Sequence, residues 1–301
     1  MTPIDVPTIS ITPDTCGRDG LCVHICPMRV FTNNPGACPD VRRVEECILC
    51  GHCVSACPRH AILHSGFPAE RLAPISYAGV ASPEAAFALL SQRRSVREYR
   101  PDPLPKELLR EIIDVAGYAP GSPFHRVGWT RQFTVVVGEA NMRKVSELTA
   151  LYVRRIRKLV TGPMVRFSAR FSDSARAALD IVPDLTMRLG EWSEGRDVIT
   201  YRAPAAIFAH APQRSSTPQA DCDAALYSIM LLAHARGLGT CWNGFLQGAA
   251  AGDHLRGFSA LRNFLKIPPG NRCYAAATVG YPALKLHSSP RRDVAVEWIE
   301  P

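Results

Sequence analysis

The sequence predicts an α+β protein of two domains, a small cysteine-rich module followed by a larger domain of mixed helix and strand. Two observations carry this reading. Eight of the eleven cysteines fall within the first 57 residues, whereas Cys222, Cys241 and Cys273 are isolated. At 301 residues the chain also has room for a small module and one large core. The domains are expected at 1–65 and 83–301, joined by a Pro-, Ala-, Gly- and Ser-rich linker at 66–82.

The first domain is defined by Cys47-Ile48-Leu49-Cys50-Gly51-His52-Cys53-Val54-Ser55-Ala56-Cys57-Pro58. Three cysteines at a spacing of three, a fourth four residues on and then proline form the bacterial ferredoxin run for a [4Fe–4S] cluster. A tight turn aims three thiolates at one cubane, and in two-cluster ferredoxins the cysteine before proline reaches across to the other. The competing reading, a zinc site of paired C-x2-C motifs, needs a distant partner pair that the sequence lacks. The upstream stretch Cys16-Gly17-Arg18-Asp19-Gly20-Leu21-Cys22-Val23-His24-Ile25-Cys26-Pro27 fits the same template, with Asp19 in place of the second cysteine. Carried across, Cys47, Cys50, Cys53 and Cys26 hold one cubane. Cys16, Cys22 and Cys57 hold the other, with Asp19 facing its fourth iron. A carboxylate is a harder, weaker iron ligand than a thiolate, so the second cluster is expected as [4Fe–4S] or [3Fe–4S]. The alternative is that Asp19 is an ordinary turn residue at a degraded site. Cys38 lies off the template and reads as a spare thiol.

The second domain opens with an N-cap and a first-turn proline at Ser82-Pro83-Glu84, continuing as a helix through Leu90. A second helix follows Leu104-Pro105, with Leu108, Leu109, Ile112, Ile113, Val115 and Ala116 as its apolar stripe. Phe133–Val137 and Ala205–Ala209 read as buried strands. A long helical stretch, broken at Gly162-Pro163 and Pro183, separates them. Ala224–Arg236 is an apolar helix ended by Gly237-Leu238-Gly239, and Ala275–Gly280 is another strand. Between the first two helices, Gln92-Arg93-Arg94-Ser95-Val96-Arg97-Glu98-Tyr99 gathers guanidiniums and a hydroxyl suited to cradling a phosphate monoester.

Arg93–Pro105, Ala119-Pro120, Tyr201-Arg202-Ala203-Pro204, Gly237–Phe245, Gly280-Tyr281-Pro282 and Ser289-Pro290-Arg291-Arg292 come in an order that resembles the nitroreductase family of FMN enzymes. The resemblance covers 83–301 and implies an α+β sandwich with a mixed sheet, and a homodimer that exchanges terminal segments around two FMN sites. It implies that Arg93, Arg94, Ser95 and Arg97 bind the FMN phosphate and ribityl chain, that Arg291 adds charge to the same phosphate, and that Asn243 and Gly244 lie against the isoalloxazine. After Ala119-Pro120 the sequence departs from the family. Phe124-His125-Arg126 replaces an Asn and Gln-Pro loop, which puts ordinary nitroaromatic specificity in doubt and makes His125 a candidate proton donor.

The composition narrows the function further. The formal charge of +8 is concentrated at Arg154, Arg155, Arg157, Lys158, Arg166 and Arg170, without interleaved aromatics or a nucleic-acid-binding motif. A solvated helix face is expected, with no nucleic-acid partner. No window of about 18 apolar residues suggests a membrane span, and Met1–Ser10 lacks a signal-peptide pattern. Clustered thiols without a disulfide pattern point to a reducing, cytoplasmic setting. No G-x-G-x-x-G fingerprint indicates a separate dinucleotide fold. The leading expectation is an iron–sulfur flavoprotein that passes electrons between its clusters and FMN to reduce a small organic acceptor, a nitro, quinone or enone-like compound. The electron donor is NAD(P)H or a reduced ferredoxin. The alternatives are a non-catalytic carrier or redox sensor serving a protein partner, and an atypical member whose flavin supports dehalogenation or dehydrogenation.

Overall fold

The computed structural model describes residues 6–32, 34–121, 131–253, 255 and 257–300. Its contacts divide into two compact units, one running to Val80 and taking in Gly121 and Arg214–Pro218, the other built from the rest of the described residues.

The first unit runs β1 (Ile9–Ile11), α1 (Leu21–Ile25), β2 (Phe31–Thr32), β3 (Asp40–Val41), α2 (His52–Ala56) and β4 (Ile62–His64). β1 pairs antiparallel with β4, setting Ile9 opposite His64, and β2 pairs with β3. The backbone repeats itself at an offset of 31 residues, as from Cys16 to Cys47. Left-handed φ values occur at Arg18 (56°), Gly20 (68°) and Arg29 (51°), and again at Leu49 (55°), Gly51 (74°) and His60 (50°). A left-handed non-glycine residue costs about 1–2 kcal/mol, so its recurrence at matched places marks a required turn geometry. Val30, Phe31, Val54 and Ile62 pack with Cys22 and Cys53 as a small core between the halves.

The second unit runs α3 (Pro83–Gln92), α4 (Lys106–Asp114), β5 (Gln132–Val137), α5 (Glu139–Val160), α6 (Pro163–Ser168), α7 (Asp173–Asp180) and α8 (Val182–Ser193). It continues through β6 (Ala205–Pro212), α9 (Pro218–Ala235), β7 (Gly239–Trp242), α10 (Gly244–Ala251), α11 (Ala260–Phe264) and β8 (Asn271–Gly280). The sheet order is β5-β6-β8-β7, with every neighbouring pair antiparallel. A single parallel bridge joins Ser95 to Thr240 at the β7 edge. All eight residues of β6 are buried, because side chains alternate across a strand and both faces are covered. Ala205, Ile207, Ala209 and Ala211 pack with α4 and α9, while Ala206 and Phe208 pack with α5, α8, α10 and α11. The result is a sheet sandwiched between helical layers, the α+β architecture expected for this domain.

Local signals account for most boundaries. Ser82 Oγ accepts from Ala85 N at 3.2 Å and starts α3. Proline stands in the first turn of α6 and of α8, which splits the long helical stretch as expected. α9 ends in a Schellman turn: Leu238 N donates to Ala233 O, Gly237 N to His234 O, and Gly237 takes φ 75°. Four boundaries differ from the sequence reading by three residues or more, the first being β6, which runs past Ala209 to Pro212 because His210, Ala211 and Pro212 stay paired with β8. α9 begins at Pro218, ahead of the apolar run, because Asp221 and Cys222 are buried in it despite the polar start. β8 begins at Asn271, since Asn271, Arg272 and Cys273 are paired with Pro212, Ala211 and His210. Gly239–Trp242 is a strand, held by pairing with β8 rather than by any run of strand-forming residues.

A buried polar network crosses the sheet. His210 Nε2 meets Thr134 Oγ1 at 3.2 Å, its Nδ1 meets Asn271 Nδ2 at 3.0 Å, and Asn271 Nδ2 donates to Gln132 Oε1 at 3.2 Å. Burial, helped by Arg262, pushes the His210 imidazole down to about 4. An imidazole held neutral in the fold but protonated at about 6.5 when unfolded gives the unfolded chain more protons between those values. Stability is therefore complete above pH 6.5 and is lost as pH falls toward 4. Urea titrations at stepped pH should show this slope, and His210→Gln should flatten it; an unchanged slope would assign the pH dependence to other groups.

Candidate functional site

Two pockets of similar size lie in the first unit. Cys26, Cys47, Cys50 and Cys53 line the first. Cys16, Cys22, Cys57 and Asp19 line the second. The crossed arrangement follows from the fold: each short helix ends at the cysteine that precedes proline, and that cysteine faces the opposite half. Each set offers four ligand side chains around a space rather than at a point. Among the described residues no three His, Cys, Asp or Glu side chains converge tightly enough to hold a single metal ion. A polynuclear cluster, ligated at its corners, suits such a set better than one zinc ion.

Backbone donors confirm that the thiols are arranged as acceptors. Arg18 N points at Cys16 Sγ (3.4 Å) and Val30 N at Cys26 Sγ (3.4 Å). At the same 31-residue offset, Leu49 N points at Cys47 Sγ (3.5 Å) and Ala61 N at Cys57 Sγ (3.3 Å). N–H groups directed at sulfur stabilise thiolate charge and raise the potential of a bound cluster. Without a metal, burial pushes the Cys53 thiol up to about 12, and it raises Cys22 and Cys47 as well. Such thiols deprotonate on binding iron, so loading releases protons.

The two cavities differ at one corner. Asp19 Oδ1 accepts from Leu21 N at 3.1 Å, a turn bond that orients the carboxylate at the start of α1. Cys38 does not line either cavity, but its thiol lies beside that of Cys16, which raises its pKa by hydrogen bonding. His64 lines the first cavity, with Nε2 3.5 Å from Cys47 Sγ and Nδ1 accepting from Gly66 N at 3.0 Å.

In the second unit, the chain after α3 runs beside β7. Val96 N donates to Thr240 O at 2.9 Å, which places Ser95 next to Thr240. The approach is close: a Cβ on Gly239 would sit 2.7 Å from Val96 Cβ. Arg93, Ser95 and Arg97 all act electrostatically on the Cys241 thiol of β7. Burial raises the Cys241 thiol, while Arg97, Ser95 and Arg93 pull it back. Arg93 Nε and Nη1 are buried without a hydrogen-bond partner, and its guanidinium sits 5.5 Å from the Tyr227 ring centre. Buried N–H donors left unmet are costly, and an anion at this point would satisfy them. Arg94 is exposed.

Around this turn lie groups that the sequence reading did not single out for a role. Tyr201 and Arg202 adopt left-handed φ values of 58° and 52°. Asp197 holds them there: Oδ1 accepts from Ile199 N, Thr200 N and Ser146 Oγ, and Oδ2 accepts from Thr200 Oγ1 and Arg202 N. Tyr201 lies 5.9 Å from the Arg97 guanidinium, ring centre to carbon. Asn243 caps α10 through Oδ1, which accepts from Leu246 N at 3.1 Å, and its Nδ2 donates to Ile199 O at 2.6 Å. Its side chain thus ties the 197–203 turn to α10. Gly244 is exposed, with nothing within 4 Å of where a Cβ would project. The carboxy-terminal segment returns to the same region, where Ser289 Oγ donates to Ser91 O, two residues before Arg93. Arg291 is exposed beyond that contact. His125 lies outside the described residues.

The comparisons with known proteins agree with this geometry. The nitroreductase family description matches residues 90–281, and a 4Fe-4S dicluster domain matches 14–62. The chain belongs to the nitroreductase family. A nitroreductase named NfnB from Mycolicibacterium smegmatis is 30% identical over 172 residues, 52% of this chain and 70% of that protein. A crystal structure of a nitroreductase with bound FMN from Bacteroides fragilis superposes with a TM-score of 0.51, covering 71% of this chain and 98% of that one at 22% identity. The second unit therefore has the nitroreductase fold, and the first is a ferredoxin-type dicluster domain. This nitroreductase is an FMN-dependent oxidoreductase with an iron–sulfur domain in front of its flavoprotein domain. Among the described residues, no helix is long and apolar enough to cross a membrane.

Proposed function

We propose that this nitroreductase passes single electrons between its two clusters and FMN and delivers them in pairs to a small organic acceptor. The observation that carries the reading is the pairing, in one chain, of two cysteine-lined pockets with a half-buried arginine, Arg93, two of whose buried nitrogens lack an acceptor. FMN can exchange electrons singly or in pairs, so it suits the junction between one-electron clusters and a two-electron substrate.

Arg93, Ser95 and Arg97 bind the phosphate and ribityl end, with Arg94 and Arg291 adding positive charge from the rim. Gly244, with no side chain to intrude, leaves room for the flat ring. Asn243 acts on the site through the turn it anchors, because both polar atoms of its side chain are already engaged. Cys47, Cys50, Cys53 and Cys26 hold one [4Fe–4S] cluster; Cys16, Cys22 and Cys57 hold the other with Asp19. Thiols in this role require a reducing compartment, which favours the cytoplasm. The carboxy-terminal segment exposes Leu284, Leu286, Val294, Val296, Trp298 and Ile299, the last at 97%. Apolar residues left bare in an extended tail favour a homodimer in which the tail packs on the partner. The donor is NAD(P)H, reducing the flavin directly, or a reduced ferredoxin, entering through the clusters. Turnover of nitro, quinone and enone compounds by the dithionite-reduced protein tests the enzyme reading. If no acceptor is consumed while an electron-carrier protein is reduced, the chain is a relay.

The two clusters should be inequivalent, because only the second cavity has a carboxylate at one corner. Asp19→Cys is expected to give a conventional four-thiolate [4Fe–4S] site with a lower potential, since thiolate donates more electron density to iron. Iron counting and EPR of the anaerobically reconstituted protein measure this. Identical spectra and iron content in the variant would place Asp19 outside the cluster's coordination.

A further inference from the structure

The cluster reading leaves one buried imidazole without a role. His64 stands on the inward face of β4, opposite Ile9, and is only 4% exposed. Its ring is fixed by an edge-to-face contact with Phe67, with centres 5.1 Å apart. The turn that follows is built to reach it. A Cβ on Gly66 would come within 2.9 Å of Leu49 and 3.2 Å of the His64 ring, so glycine alone lets the Gly66 N–H close on Nδ1 at 3.0 Å.

That bond decides the tautomer. Nδ1 is an acceptor, so the ring proton of the neutral imidazole sits on Nε2. Nε2 lies 3.5 Å from Cys47 Sγ, which also receives the Leu49 N–H. A buried histidine satisfied on one side by backbone and on the other by a cluster thiol is more than a packed core residue. The matching cysteine of the other half, Cys16, has the Cys38 thiol beside it instead.

We propose that His64 donates its Nε2–H to the Cys47 thiolate and thereby raises the reduction potential of the cluster held by Cys47, Cys50, Cys53 and Cys26. It rests on the cluster reading above. A donor to a ligand sulfur withdraws electron density and stabilises the more negative, reduced state. His64 is a positioning residue that acts through Cys47. It makes the first cluster a better electron acceptor than its four cysteines alone would.

The test uses the full-length protein, reconstituted anaerobically, with EPR-monitored redox titration of both clusters. His64→Phe keeps the ring and removes the donor. It is expected to lower the midpoint of the first cluster, leave the second unchanged and retain the iron. His64→Gln, whose amide can still donate, is expected to recover part of the shift. A first-cluster midpoint in His64→Phe equal to that of the unmodified protein would overturn the proposal. Should His64→Phe take up no iron, histidine-¹⁵N labelling of the unmodified protein decides: a nitrogen coupling to the first cluster supports the proposal, and its absence overturns it. An unmodified protein with no iron and no charge-transfer absorbance would instead remove the cluster reading itself.

Discussion

Arg93→Ala combined with Arg97→Ala is expected to release FMN while leaving the iron–sulfur absorbance intact. The two guanidiniums come from the same turn and both lower the Cys241 pKa through their charge, and Arg93 carries two buried nitrogens without acceptors. A hydrogen bond to a charged group contributes about 1.5–3 kcal/mol, so removing both side chains should weaken binding by about 3–6 kcal/mol. That is on the order of 10²- to 10⁴-fold in dissociation constant. Desalting the double variant and recording its visible spectrum measures the effect. The cysteines belong to the other unit, so the iron content should be unchanged, and far-UV circular dichroism checks that the flavin unit of the variant is folded. FMN retained in full would refute the phosphate cradle.

The second large effect concerns the direction of electron flow. Cys50 lines the first cavity with Cys26, Cys47 and Cys53, and serine is a poor substitute for an iron-ligating thiolate. Loss of a supporting group one shell out already costs about 10- to 100-fold in metal affinity or activity, so loss of a ligand should cost at least as much. Cys50→Ser is therefore expected to slow flavin reduction by reduced ferredoxin by that range. Flavin reduction by dithionite and reoxidation by an acceptor should change little, because every proposed FMN ligand lies beyond residue 92. Stopped-flow traces separate the cases. Ferredoxin reducing the flavin of a folded Cys50→Ser protein at the original rate would mean that the clusters are not the entry path, leaving direct reduction by NAD(P)H as the favoured route.

Much of the first domain was legible because its chemistry is local. A cubane demands thiolates at fixed short spacings, so the crossed assignment of Cys26 and Cys57 follows from two short motifs, and the cavity linings match it. The second domain was legible in its strongly apolar segments, such as Ala205–Ala209, the first five of the eight residues of β6, whereas the His210–Pro212 end needed its pairing with β8 to be found. It was less legible where pairing outweighs composition. Nothing in Gly239-Thr240-Cys241-Trp242 requires a strand until β8 lies alongside. Asp197 was missed for a similar reason. One carboxylate organising five backbone and side-chain donors from a helix and a turn leaves no periodic signal.

The sequence by itself determined the metal chemistry, the two-domain order and the cationic turn at 93–97, because each depends on residue types at short range along the chain. The tertiary structure alone decided which polar groups are already satisfied and which are left open. It commits both ends of the Asn243 amide, strands two nitrogens of Arg93 and sets the His64 tautomer against Cys47. Those outcomes depend on distances between residues far apart in the chain, and hydrogen bonding is lost within an ångström of misplacement.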